Sequence, residues 1–156
     1  MWYAVASITR PMHLIARRIA TLIPDWNQRP LDEADIFALC YRFDIGLVEL
    51  PLKTDGFYFR VDGRDIIAVD SQLDSVRRLV VLLHELGHYL LHAPESPVTA
   101  SFHGVGRRTR EEKEADLVSL CGLIPRPILG NFDFESSAVP AAMWAQRLEI
   151  YKTHNL

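Results

Sequence analysis

His84 and His88, with Glu85 between them, are the residues in this chain best placed to do chemistry. They form an H-E-x-x-H motif, His84-Glu85-Leu86-Gly87-His88, inside a largely apolar run from Leu79 to His92 that reads as a buried helix. Residues four apart on a helix share a face, with Cβ atoms roughly 5–6 Å apart. Two imidazoles so placed can aim their nitrogens at one point about 2.0–2.1 Å from each, the distance that Zn²⁺ needs. Glu85 sits one step round the helix, where it reaches a water beside the metal without becoming a ligand. That is the layout of a zinc peptidase, with Glu85 as the general base. The plainer reading, polar residues on a solvated helix face, conflicts with the apolar flanks. Burying a carboxylate and two imidazoles without partners is costly, and a metal is the simplest compensation.

A catalytic zinc takes three protein ligands and keeps one open position. The third should come from a following helix, and Arg110-Glu111-Glu112-Lys113-Glu114-Ala115-Asp116 offers it. Glu112 and Asp116 are four apart and share a face, giving one ligand and one carboxylate that orients a ligating histidine. Glu111 points roughly 100° away and Glu114 roughly 200° away, so alanine at either should leave metal binding almost normal. The competing explanation is that acidic residues merely favour a helix N-terminal turn. It covers Glu111 and Glu112 but not Asp116, which is followed by Leu117 and Val118.

The elements that must hold these residues are legible in outline. Met12 to Ile23 carries apolar residues at helical spacing and is closed by Pro24. Asp32 to Phe43 reads as a second helix with Ile36, Phe37, Leu39, Cys40 and Phe43 inward. Gly46 to Leu50 is a short strand stopped by Pro51. Gly56 to Val61 and Arg64 to Val69 flank Asp62-Gly63, a hairpin signal. In its first arm Phe57, Phe59 and Val61 form an apolar face against Tyr58 and Arg60, and its edge could receive an extended peptide. Asp74 or Ser75 caps the histidine-bearing helix, which Pro94 stops. Pro94 to Gly106 reads as a mobile surface loop. Thr109, with Glu112 three residues on, opens the next helix as in a capping box, and this helix runs to about Leu120. A last helix covers Pro140 to Tyr151, with Met143, Trp144, Leu148 and Ile150 or Tyr151 packing inward. The fold class is α+β: a single domain over 1–156, with N-terminal helices in 11–43, a core in 46–125 and a C-terminal helix in 140–151.

Composition narrows the function. The 156 residues suit one domain, and the net charge of -3 gives no basic footprint for nucleic acid. Cys40 and Cys121 lie in apolar stretches without metal-ligand spacing, as small buried hydrophobes of a reducing compartment. No signal peptide and no membrane-length apolar run is present, so the chain reads as soluble and cytoplasmic. Other candidates carry less. His92 lies roughly 80° round the helix from His84. A third-histidine ligand would need a longer spacing, so His92 supports the site or the helix end. His103, Tyr58 and Tyr89 could stabilise a transition state; an exposed loop histidine and buried aromatic packing are their plainer roles.

H-E-L-G-H-Y-L-L-H followed by E-x-E-A-D and then Pro125 resembles the ImmA/IrrE metallopeptidases, as does the approach through G-F-Y-F-R-V-D-G-R-D-I-I-A-V-D. The resemblance spans roughly Gly46 to Pro125. It departs at Val118-Ser119 and Gly122-Leu123-Ile124, where the family shows Phe-Ala and Leu-Leu-Met, all packing positions. The resemblance implies a small zincin-like domain with a short twisted sheet packed on the H-E-x-x-H helix, and one zinc on two histidines and a glutamate. It favours Glu112 over Glu114 as the third ligand. The substrate it implies is a separate helix-turn-helix repressor, cleaved to relieve repression. An alternative of another class is a metal-stabilised regulatory protein that sequesters a transcription factor without cutting it. Intact Glu85 argues for the peptidase.

Overall fold

In the computed structural model, which describes residues 11–93, 109–130 and 138–156, side-chain caps open three of the helices. Helix α1 (Met12–Leu22) buries Ile15, Ala16 and Ile19. Helix α2 (Glu33–Arg42) starts in a reciprocal cap: Asp35 N–H donates to Asp32, and Asp32 N–H donates back to Asp35. Ile36, Leu39 and Cys40 of α2 are buried as expected. Phe37 is not; it lies one step round the helix and is 46% exposed.

Strands β1 (Ile45–Leu50), β2 (Gly56–Val61) and β3 (Arg64–Asp70) form one sheet in the order β1-β3-β2. β1 runs parallel to β3 and β2 antiparallel to it. The β2–β3 turn is the predicted one: Asp62 (φ 49) and Gly63 (φ 74) both take left-handed backbone, as a two-residue hairpin loop demands. β2 buries the face that carries Gly56 and Tyr58, in keeping with the packing role read for Tyr58. Tyr58 is fully buried, opposite Ile67 of β3, whereas Phe57 and Phe59 lie half-buried on the other face and Val61 is 45% exposed. Alternation defines two faces; it does not say which one a helix will cover.

Helix α3 (Ser75–His92) covers the inner face, and Asp74 caps it by accepting from Arg77 N–H. From Val80 to His88 every residue of α3 is buried, because α4 (Arg110–Leu123) packs on it as well as the sheet. A glycine sits at each contact. A Cβ on Gly56 would meet Val81 Cγ1 at 2.6 Å and Ala68 O at 2.7 Å, so only glycine lets α3 lie this close to the sheet. Gly87 faces α4 in the same way. Tyr58, Ile67 and Val69 join Val81, Leu82, Leu83 and Leu86 of α3 and Leu117, Val118 and Cys121 of α4 in one buried cluster.

α4 continues past the predicted end at Leu120, because Gly122 serves as a packing residue against Leu83 and not as a stop. A short 3₁₀ turn (Arg126–Ile128) leads towards helix α5 (Ala141–His154). Trp144 of α5 is buried as expected, Tyr151 is 40% exposed, and the deepest residue of α5 is Arg147, which is fully buried. Its guanidinium donates to Ile124 O and to Asn27 Oδ1, tying α5 to the end of α4 and to the segment after α1. The architecture is α+β, five helices around a small mixed sheet among the described residues. None of these helices is long and apolar enough to cross a membrane.

Candidate metal centre

His84, His88 and Glu112 converge where α3 and α4 face each other. His84 Nε2 lies 3.1 Å from Glu112 Oε2, His88 Nε2 lies 2.9 Å from Glu112 Oε1, and the two Nε2 atoms are 3.2 Å apart. Both imidazoles are buried, while the Glu112 side chain stays one-third exposed, which leaves the group approachable from solvent. Three ligand atoms at tetrahedral angles, each about 2.0–2.1 Å from one ion, stand roughly 3.3–3.4 Å apart. The observed separations are a few tenths of an ångström shorter. The donor set therefore fits a metal ion with little rearrangement.

The electrostatics describe the same group with a proton in the ion's place. Burial alone would push the His84 pKa down, but its hydrogen bonds with Asp116 and Glu112, helped by the charge of Glu85, hold it up to about 10. Burial would likewise raise Glu112; the facing His84 and His88 outweigh it and hold the carboxyl well below the usual carboxylate range. A cation held here would take the place of that proton.

Each imidazole is also held from behind. His84 Nδ1 lies 3.0 Å from Asp116 Oδ1, the partner that the shared face of Glu112 and Asp116 predicts. Thr109 caps α4 by accepting from Glu112 N–H, but no reciprocal cap forms there, because the Glu112 carboxylate is turned to the histidines. His88 Nδ1 meets His92 Nδ1 at 2.9 Å, and His92 Nε2 meets Glu114 Oε2 at 2.7 Å. Burial lowers the His92 pKa despite the Glu114 carboxylate beside it.

Glu114 has surroundings that the sequence reading did not foresee. It does point away from the three-residue group, as its position on the helix requires, yet it is 4% exposed and not a bystander. The signal was present in the regular spacing of His84, His88 and His92, which carries a third imidazole under the α3–α4 contact. Glu111 lies outside the group. Glu85 is fully buried, one step along α3 from His84. Tyr58 is also fully buried, and its hydroxyl donates to Asp65 at 2.7 Å; Tyr89 packs edge-on against Tyr58 and obliquely against Phe43. Both fill the packing role. Cys40 and Cys121 are buried free thiols, each pushed up to about 11 by burial. His103 and the 94–106 loop lie outside the described residues.

The model of the Peptidase M78 family, described as the IrrE N-terminal-like domain, matches residues 40–138. The chain belongs to this family. The match takes in the whole sheet, α3 and α4, so every residue of the converged group lies inside the Peptidase M78 region. Membership and the metal-capable group together point to a metallopeptidase. No curated protein matches the chain.

Proposed function

We propose that the protein is a zinc-dependent endopeptidase that uses His84, His88 and Glu112 as metal ligands and Glu85 as general base. The observation that carries this is the convergence of the three side chains beside a buried glutamate within a peptidase family domain. Two imidazoles and one carboxylate make a set that suits zinc and leaves one position open. These residues would hold a zinc ion, which when bound would supply Lewis acidity toward a water and the scissile carbonyl. Glu85 is the residue that would accept a proton from the attacking water and return one to the amine nitrogen as the C–N bond breaks. Its fully buried carboxylate is shielded from bulk water, where proton transfer would be less directed. Asp116 holds the His84 ring so that its Nε2 faces inward.

The substrate that the family resemblance suggests is a separate helix-turn-helix repressor in the cytoplasm, cut to relieve repression. β2 is an edge strand of the sheet on which α3 packs, and an extended substrate segment can pair with such an edge. The test is to incubate the purified protein with a helix-turn-helix repressor as candidate substrate, with zinc, with a chelator, and with Glu85→Gln. Zinc-dependent fragments that fall about 10²–10⁴-fold in rate with Glu85→Gln, at unchanged zinc content, are expected. A stable, uncut complex formed equally by wild type and Glu85→Gln would replace the peptidase with a sequestering protein.

A further inference from the structure

We propose that His92 and Glu114 are positioning residues for the metal centre: they fix His88 in the one tautomer that presents a lone pair to the ion. The inference rests on the reading of His84, His88 and Glu112 as ligands. His88 Nε2 faces Glu112 and His84, so to bind a cation it must carry no proton there. The ring proton of neutral His88 then sits on Nδ1, whose partner is His92 Nδ1 at 2.9 Å. An imidazole is an ambiguous partner, since it can donate or accept at that nitrogen.

Glu114 removes the ambiguity. Its Oε2 lies 2.7 Å from His92 Nε2, too short for an ionised oxygen facing an imidazole lone pair. His92 Nε2 therefore bears the proton and donates it to the carboxylate. Neutral His92 is left with a lone pair on Nδ1, and His88 Nδ1–H donates into it. Arg110 Nε lies 3.4 Å from the other oxygen of Glu114, the carboxylate from which the chain starts. His88, His92 and Glu114 are 1%, 5% and 4% exposed, so water is poorly placed to substitute for any of them. The two ligating histidines are thus oriented by carboxylates of one helix, His84 directly by Asp116 and His88 through an intervening imidazole by Glu114. A pair that only filled space would need no such direction of donation.

Two measurements test this on the full chain. Long-range ¹H–¹⁵N NMR of the zinc-loaded wild type reads the tautomers without any variant; His88 protonated at Nδ1 and His92 at Nε2 are expected. Competition with a zinc chelator reads the affinity of His92→Phe and His92→Gln. Phenylalanine fills the ring's space without hydrogen bonding, and zinc affinity should fall about 10–100-fold. The glutamine amide can accept from His88 and donate to Glu114, so His92→Gln should recover most of the loss. A His92 protonated at Nδ1 in the wild type, or a folded His92→Phe that binds zinc as tightly as wild type, overturns the proposal and leaves the metal centre standing. A wild type that binds no zinc overturns both.

Discussion

Gly87→Ala tests how closely the candidate site depends on the spacing between its two helices. An added Cβ would lie 3.1 Å from Val118 Cβ, 3.2 Å from Val118 Cγ2 and 3.3 Å from Ala115 Cα. These are inside ordinary van der Waals contact, and two of the three atoms are the Cα and a Cβ of α4, which cannot swing aside. Forcing an extra methyl into a well-packed core costs about 1–3 kcal/mol. Alanine recovers up to about 1 kcal/mol of that through its better helix propensity. The net destabilisation should be about 1 kcal/mol, roughly 2–4 °C in melting temperature for a domain of this size. Relief requires α4 to shift by a few tenths of an ångström, and α4 carries Glu112, so zinc affinity should weaken as well. Urea unfolding of the metal-free protein and chelator competition on the loaded one measure the two effects. Val118→Ala removes one of the clashing atoms, so Gly87→Ala should cost less in that background, a coupling that a double-mutant cycle isolates. If Gly87→Ala instead raises stability by the full helix-propensity gain and leaves zinc affinity unchanged, the α3–α4 contact is not the constraint described.

Three further outcomes are expected. Glu112→Ala removes the carboxylate that meets both imidazoles and should abolish stoichiometric zinc binding, whereas Asp116→Ala should weaken it by only about 10–100-fold, both read by metal analysis and chelator competition. Arg147→Ala withdraws a charged donor from buried Ile124 O and Asn27 and should cost at least about 1.5–3 kcal/mol in urea unfolding, with zinc affinity unaffected while the protein is folded. The Arg29 guanidinium beside Asp35 lowers that carboxyl to about 2, below its ordinary 3.8. Its stabilising contribution is therefore complete above the ordinary value and is lost as pH falls through about 2, so Asp35→Asn should flatten the acid limb of the stability curve in that window.

How far the site could be read from the sequence followed the range of the interactions involved. His84 and His88 were legible because four-residue spacing on a helix fixes their shared face without reference to the rest of the chain. The same rule paired Glu112 with Asp116, and an equally local preference for left-handed backbone set the Asp62-Gly63 turn. Glu114 was legible only as pointing away from Glu112; that it points into a buried contact depends on how α4 crosses α3. Arg147 carried no signal in an otherwise ordinary helix, because one of its acceptors lies 120 residues away. In β2 the alternation showed two faces but not which one the core takes; the covered face is the one on which Gly56 admits α3.

A metal joining His84 and His88 to Glu112 would close a chain segment of 28 residues between the first and last of these ligands. In that sense the centre is a reversible cross-link. Tying off a loop of such length restricts the unfolded chain by roughly 3–4 kcal/mol in a chain-entropy estimate for a permanent link. A metal that binds only the folded form stabilises it by RT ln(1 + [metal]/Kd), so the protein's lifetime would track the free zinc around it. Loss of the ion would then silence the site and, in the same event, loosen α4 from α3. A shortage of metal would remove both the activity and the molecule that carries it.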